Sequence, residues 1–117
     1  MKSNRIIGEK GESIACQYLI EQGYTLIEKN WTAGHKEIDI ICKEDELYVF
    51  VEVKTRKVLK QGLPEESISE QKIKSVTDAA LVYLENKKYK DIRFDVISII
   101  LKNENQFELL HIKDAFY

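Results

Sequence analysis

Apolar residues recur along this chain in two different periods, and the change of period marks its elements. Between residues 3 and 22 they fall at three- and four-residue steps: Ile6, Ile7, Ile14, Ala15, Tyr18 and Leu19, with Gly11 on the same stripe. That spacing predicts an amphipathic helix. Ser3 or Asn4 stands where an N-cap belongs, and Gly23 where a C′ glycine belongs. Gly8 and Gly11 each weaken such a helix by up to ~1 kcal/mol relative to alanine. Close approach of the helix to a sheet is the expected compensation.

Alternation then takes over. Tyr24–Asn30 predicts a short strand, Trp31–Lys36 a loop around Gly34, and Glu37–Cys42 a second strand. Glu44 and Asp45 make a turn, and Leu47–Thr55 is a third strand. In it Leu47, Val49, Val51 and Val53 share one face, while Tyr48, Phe50, Glu52 and Lys54 share the other. Such a strand is covered on both faces near its start and opens to a polar site at its end.

Lys57–Glu66 reads as a loop, with the chain's single proline, Pro64, near Gly62. Ser67–Glu70 has capping-box spacing and opens a second helix reaching about Asn86. Its stripe is Ile68, Ile73, Val76, Ala80, Tyr83 and Leu84, and Lys87, Lys88 and Lys90 suit its negative end. Arg93–Leu101 and Gln106–Ile112 are the last strands, on either side of a turn at Asn103–Asn105. Ala115, Phe116 and Tyr117 predict a C-terminus that docks. The order αβββαββ, without repeats or linkers, predicts an α/β domain over residues 1–117, one mixed sheet with helices on its faces.

Composition narrows the classes. A chain of 117 residues with 44% apolar and 32% charged residues is ordinary for one globular domain. No apolar run approaches the ~20 residues of a membrane-spanning helix. The start, MKSNRIIGEKGES, has no apolar signal core, which predicts a mature cytoplasmic protein. Cys16 and Cys42 are too few for a disulfide framework and predict buried thiols in a reducing compartment. Two distant histidines give no Cys/His zinc spacing, so any metal would be a hard cation held by carboxylates. With a net charge of −2, a face that binds nucleic acid must be local.

Candidate chemistry concentrates between Glu37 and Arg56, where apolar strands carry Asp39, Glu52 and Lys54. Pairing through Lys43–Glu46 sets residue 39 roughly opposite residue 50 or 51, so the two carboxylates can meet around one ion. Magnesium takes one or two carboxylates and fills its remaining positions with water and phosphate. Asp39 and Glu52 would supply that pair, and the Val53 carbonyl a third oxygen. The ion would polarise a phosphate and acidify a water. Lys54 would orient or activate that water, or balance developing charge. Glu12 is an outer ligand if the first helix crosses the open end of these strands. Each of these has a plain alternative. Strand-end carboxylates are usually solvated, and V-E-V-K also fits an edge strand with one wet face.

Arg56, Lys57 and Lys60, with Lys72 and Lys74 in the second helix, could form the local basic face that phosphates need. Their alternative is a solvated loop and helix flank. Trp31 and His35 could contact a nucleic acid strand. A lone tryptophan after a strand is more often core.

The ordered blocks GEKGESIACQYLIEQGY, Asn30-Trp31, EIDII, LYVFVEVKTR, GLPEESIS, RFDVISI and HIKDAF resemble the YraN-like (UPF0102) family, from about Gly8 to Phe116. That family is similar to the restriction-endonuclease-like superfamily and, within it, to archaeal Holliday-junction resolvases. The resemblance implies a restriction-endonuclease-like fold and a carboxylate–carboxylate–lysine site on Asp39, Glu52 and Lys54. It also implies a helix-one glutamate on Glu12 and a helper residue at Gln71 or Lys72. The expected activity is a magnesium- or manganese-dependent endonuclease acting on DNA, branched or recombination intermediates included. A homodimer would let it reach two strands. The chain departs from the family at Lys36, where glycine is common, and has no arginine in Trp31–Lys36. His35 and Lys36 are then the basic residues of that segment, joining Arg56, Lys57 and Lys72 as expected nucleic-acid contacts. The alternative function is a catalytically inactive module of the same fold that binds nucleic acid or a partner protein.

Overall fold

The computed structural model describes residues 4–57 and 68–116. Within them the chain folds as α1 (Asn4–Glu21), β1 (Thr25–Ala33), β2 (Lys36–Glu44), β3 (Leu47–Lys57), α2 (Glu70–Leu84), β4 (Asp91–Asn103) and β5 (Gln106–Ile112). This is the expected αβββαββ order. The strands stand in the sheet in chain order, β1-β2-β3-β4-β5. All neighbours are antiparallel except β3 and β4, which are parallel. A parallel pair needs a crossover connection, and α2 lies in it. The arrangement is a mixed α/β sheet consistent with a nuclease-like fold.

β3 is the middle strand, so the edge-strand reading of its V-E-V-K end is excluded. Its two faces enter two cores. Val49 and Val51 pack with Ala15, Cys16 and Leu19 of α1. Tyr48 and Phe50 pack with Val76, Ala79, Ala80 and Tyr83 of α2. A strand buried on both sides must be apolar at both parities, which is how β3 reads up to Val51.

α1 approaches β3 closely at one point. A Cβ built on Gly11 would overlap the Thr55 side chain, so only glycine fits there. The expected compensation for a glycine in this helix is therefore present. Ile6, placed on the apolar stripe by its spacing, is 52% exposed and lies outside the main core. Gly23 has φ 97°, the left-handed conformation of a helix C-terminus.

Trp31–Lys36 is not a loop. β1 continues to Ala33 and β2 begins at Lys36, leaving Gly34 and His35 as a two-residue hairpin turn with Gly34 at φ 64°. The next turn is Asp45-Glu46, one residue later than expected. Trp31 meets the Tyr83 ring edge-on at 5.3 Å, which makes it part of the α2 core.

α2 is capped by Ser69, whose Oγ accepts from the Lys72 N–H at 3.1 Å. The Ser67–Glu70 capping box expected from spacing is thus replaced by a cap two residues later. Ser67 itself, Ser3 and the expected loop beyond Lys57 lie outside the described residues. Lys87, Lys88 and Lys90 follow the end of α2, and the Lys87 ammonium sits 4.3 Å over the Tyr83 ring. The C-terminal segment docks as expected: Phe116 stacks on Phe94 at 5.3 Å, and Ala115 donates to the Phe94 carbonyl at 2.7 Å. Cys16 and Cys42 are free and buried. Among the described residues no helix is long and apolar enough to cross a membrane.

Candidate active site

The site begins with a break in the alternation of β2. Ile38 packs in the α2 core, whereas Ile40, two residues on, packs in the α1 core. Regular pleating would put both on one face. Asp39 sits at the change of phase. Across the ladder, Trp31 pairs with Ile38 and Lys29 with Ile40. The intervening Asn30 has φ 51°, a left-handed backbone that asparagine tolerates better than most residues.

The same point marks the end of pairing between β2 and β3. Their last backbone rung is Ile40↔Val51. One further step in that register sets Asp39 beside Glu52, slightly beyond the position expected from the turn. The Val53 N–H donates to Asp39 Oδ2 at 2.9 Å, so a side chain takes over where the ladder stops. A strand residue's N–H and C=O face the same neighbour, so the Val53 carbonyl is also directed toward β2.

Asp39 and Glu52 are 8% and 9% exposed. Burial, reinforced by the Glu52 charge, raises the Asp39 carboxyl to about 7. Burial raises Glu52 as well, against the pull of Lys72. Glu52 Oε2 lies 3.6 Å from the Lys72 ammonium at the start of α2. Glu52 Oε1 is buried, and among the described residues no N–H or hydroxyl donates to it; only a protonated Asp39 carboxyl can share a proton with Glu52. A buried carboxylate oxygen left unpaired is costly and asks for a donor or a cation.

α1 completes the cluster. Because Gly11 lets the helix approach, the next residue, Glu12, reaches the sheet. Glu12, Glu37 and Asp39 each offer a carboxylate oxygen within 4.8 Å of the others. Burial, then the Asp39 charge, raises the Glu12 carboxyl, while a hydrogen bond with Asn30 lowers it. Glu37 was not singled out by sequence reasoning. Its signal is the E-x-D alternation on one strand, which the phase break at Asp39 leaves intact. These three carboxylates, with only oxygen donors, form a set that suits a hard divalent cation, and Glu52 stands beside Asp39 outside that trio.

The other expected site residues divide. Lys54 follows Glu52 by two residues on β3, half-buried and in register with Ser98 of β4. Lys72 joins the site through Glu52. His35 lies at the exposed hairpin tip, away from the carboxylates' burial. Lys36 pairs with Asp78 of α2 at 3.1 Å, and Lys74 pairs with the same oxygen at 2.9 Å. Gln71, Arg56 and Lys57 are exposed. Lys60 is outside the described residues.

A second buried polar network lies on β4. Asp95 accepts from Arg93 Nε and Nη2, each at 2.8 Å, and from the Asp114 N–H at 3.1 Å. His111 Nε2 is 2.7 Å from Asp95, and its Nδ1 is 2.9 Å from the Tyr18 hydroxyl. Arg93 Nη2 also donates to the Tyr24 hydroxyl at 2.8 Å. This network ties β5 and the C-terminal segment to β4, α1 and the residue before β1.

The family described as "Uncharacterised protein family UPF0102" matches residues 11–99. A UPF0102 protein of Syntrophomonas wolfei is 39% identical over 115 residues, covering 97% of this chain and 99% of the relative. One from Caldicellulosiruptor bescii is 45% identical over 115 residues, covering 94% and 96%. Another from Bacteroides thetaiotaomicron is 40% identical over 118 residues, covering 100% and 97%. Matched over most of its length by the family and by relatives of nearly equal size, the chain belongs to the UPF0102 family.

Proposed function

We propose that this protein is a divalent-cation-dependent endonuclease that hydrolyses phosphodiester bonds in DNA, branched DNA among its substrates. The observation that most supports this reading is the buried Oε1 of Glu52, without an N–H or hydroxyl donor among the described residues, beside the buried Asp39 carboxyl. Magnesium or manganese, when bound, supplies polarisation of the phosphate and a water made acidic enough to attack.

The chain's own residues do the rest. Asp39 and Glu52 would hold the cation, with the Val53 carbonyl beside them and Glu12 and Glu37 on the α1 side. The Val53 N–H keeps Asp39 in one orientation. Lys54, on the same strand face as Glu52, presents positive charge to the phosphate and orients the attacking water. α1 and the start of α2 restrict water on either side of the carboxylates.

The test is cleavage of duplex, single-stranded and four-way-junction DNA by the purified protein with Mg²⁺ or Mn²⁺. Asp39→Ala and Glu52→Gln should each lower the rate by roughly 100-fold or more. No cleavage by the wild type, or equal cleavage by Asp39→Ala, would sink the enzymatic reading. The Lys72–Glu52 ion pair favours a second reading, a catalytically inactive module that binds nucleic acid or a protein. There the lysine supplies the positive charge that Glu52 needs, and calorimetry should show no Mn²⁺ uptake by the wild type.

A further inference from the structure

The carboxylate centre gathers four acids, and of the nearby lysines Lys72 is already paired with Glu52. Cations lie across α1 from it. A cavity of about 210 Å³ opens where the first turns of α1, the end of β3 and the β4–β5 turn meet. Lys10, Lys57 and Lys102 line it together with Ile6, Ile7 and Leu101.

Three observations give this cavity a ligand class. Among the described residues its cations outnumber its acids: Glu104 is the single acidic one of the lining, and its main-chain carbonyl accepts from Lys10 at 3.1 Å. Lys102 is shared with Glu108 at 2.7 Å. The N-terminal end of α1, the positive end of its dipole, borders the cavity, and its first turn carries no acidic residue. Finally, Phe107 is 47% exposed and pairs in register with Leu101, which lines the cavity. Leu109, two residues on, packs in the α1 core, so Phe107 shares the face of the sheet on which the cavity opens.

A basic cavity with an exposed aromatic beside it is the combination that holds single strands: phosphates on the cations, a base on the ring. The spacing suits the carboxylate centre. Lys57 lies five residues beyond Glu52 on β3, roughly 16 Å at strand rise. That distance corresponds to roughly five nucleotides at the duplex rise of ~3.4 Å per strand, and to fewer in an extended single strand.

We propose that this cavity binds the backbone of a nucleic acid single strand, with a base stacked on Phe107, and so leads an unpaired segment across α1 to the carboxylates. The proposal rests on the nucleic-acid reading above and adds a substrate feature to it: an unpaired strand next to the site of cleavage.

Fluorescence anisotropy with a labelled short single strand and a labelled duplex, across a salt series, tests it. The proteins are the wild type, Lys10→Glu/Lys57→Glu and Phe107→Ala. The double reversal should weaken single-strand binding by roughly tenfold or more and flatten its salt slope by about 1.4. Phe107→Ala should weaken single-strand binding roughly five- to 100-fold and leave duplex binding unchanged. Unchanged single-strand affinity in either variant overturns the proposal while leaving the cleavage reading intact. Equal loss on duplex and single strand in Phe107→Ala also overturns it. If the wild type binds neither probe and cleaves nothing, both readings fall together.

Discussion

Val53 gives its backbone N–H to the carboxylate of Asp39 at 2.9 Å, just past the last rung between β2 and β3. The bond holds an acid in a place where it is expensive. Asp39 is buried beside Glu52, Glu12 and Glu37, and its carboxyl is raised to about 7.

Asp39→Asn therefore separates stability from function. Asparagine keeps an oxygen for the Val53 N–H and removes the charge. A carboxyl raised in the folded state costs nothing below its unfolded value of 3.8, and the cost grows until it ionises near 7. At ~1.4 kcal/mol per tenfold change in proton affinity, the full cost approaches roughly 4 kcal/mol. In chelator, Asp39→Asn should match the wild type near pH 4 and exceed it by several-fold to many-fold in folding equilibrium near pH 8. Urea unfolding at both values checks this, and a variant less stable at pH 8 would refute it.

Gly11→Ala tests the helix approach that brings Glu12 to the sheet. Alanine improves helix propensity by up to ~1 kcal/mol, but its Cβ would overlap Thr55. Overpacking of this kind costs about 1–3 kcal/mol, so the net effect is destabilising by about 1–2 kcal/mol. Thermal unfolding reads it, and Thr55→Ala should recover part of the loss. A Gly11→Ala protein more stable than wild type would contradict the close approach.

Lys72 competes with any cation for Glu52. Removing it takes away both the ion pair at 3.6 Å and a like charge near the metal. Lys72→Ala should bind Mn²⁺ several-fold more tightly by calorimetry, on the scale of one screened charge pair. Weaker binding would mean that Lys72 organises the carboxylates instead of neutralising one.

Asp95 should govern acid stability. Burial alone would raise its carboxyl, but hydrogen bonds from Arg93, His111 and the Asp114 N–H overcome that and hold it at about 2. A lowered carboxyl stabilises the fold above its unfolded value of 3.8 and loses that contribution as pH falls through about 2. Asp95→Asn leaves Arg93, 17% exposed, with a buried charge short of its partner, at a cost of about 3–5 kcal/mol near neutrality. The gap to wild type should narrow by about 2 kcal/mol between pH 4 and pH 2. A constant gap across that range would show that the pair is not what the acid disrupts.

The hydrophobic periods carried the types and order of the elements, the two faces of β3 and the docking of Phe116. These depend on neighbours a few residues away. What was illegible depends on distant ones. Trp31–Ala33 looks like loop beside Gly34, yet it continues β1 because β2 pairs with it across a two-residue turn. That β3 is central, and not an edge, is decided by its parallel partner β4. Of the carboxylates that the structure brings together, Asp39, Glu52 and Glu12 could be named from spacing and resemblance. Glu37 was passed over although its E-x-D spacing was there to read, because its approach to Glu12 appears only once α1 lies against the sheet. The pairing of the Lys36 ammonium with Asp78 of α2, 42 residues on, has no local signal either. The Asp95 network joins residues as far apart as Tyr24 and Asp114, and no local pattern announces it.

Glu12, Glu37, Asp39 and Glu52 all precede the α2 crossover, whereas Lys72, which pairs with Glu52, lies in it and β4, which pairs with β3 beside Glu52, follows it. The acids can therefore remain hydrated until the parallel β3–β4 pair closes, a late, non-local event in a sheet otherwise zipped from neighbours. Their mutual repulsion then belongs to the native side of the folding barrier. Neutralising Asp39 should slow unfolding and leave the folding limb of the chevron nearly unmoved. An equal change in both limbs would place the acids together before the crossover is made.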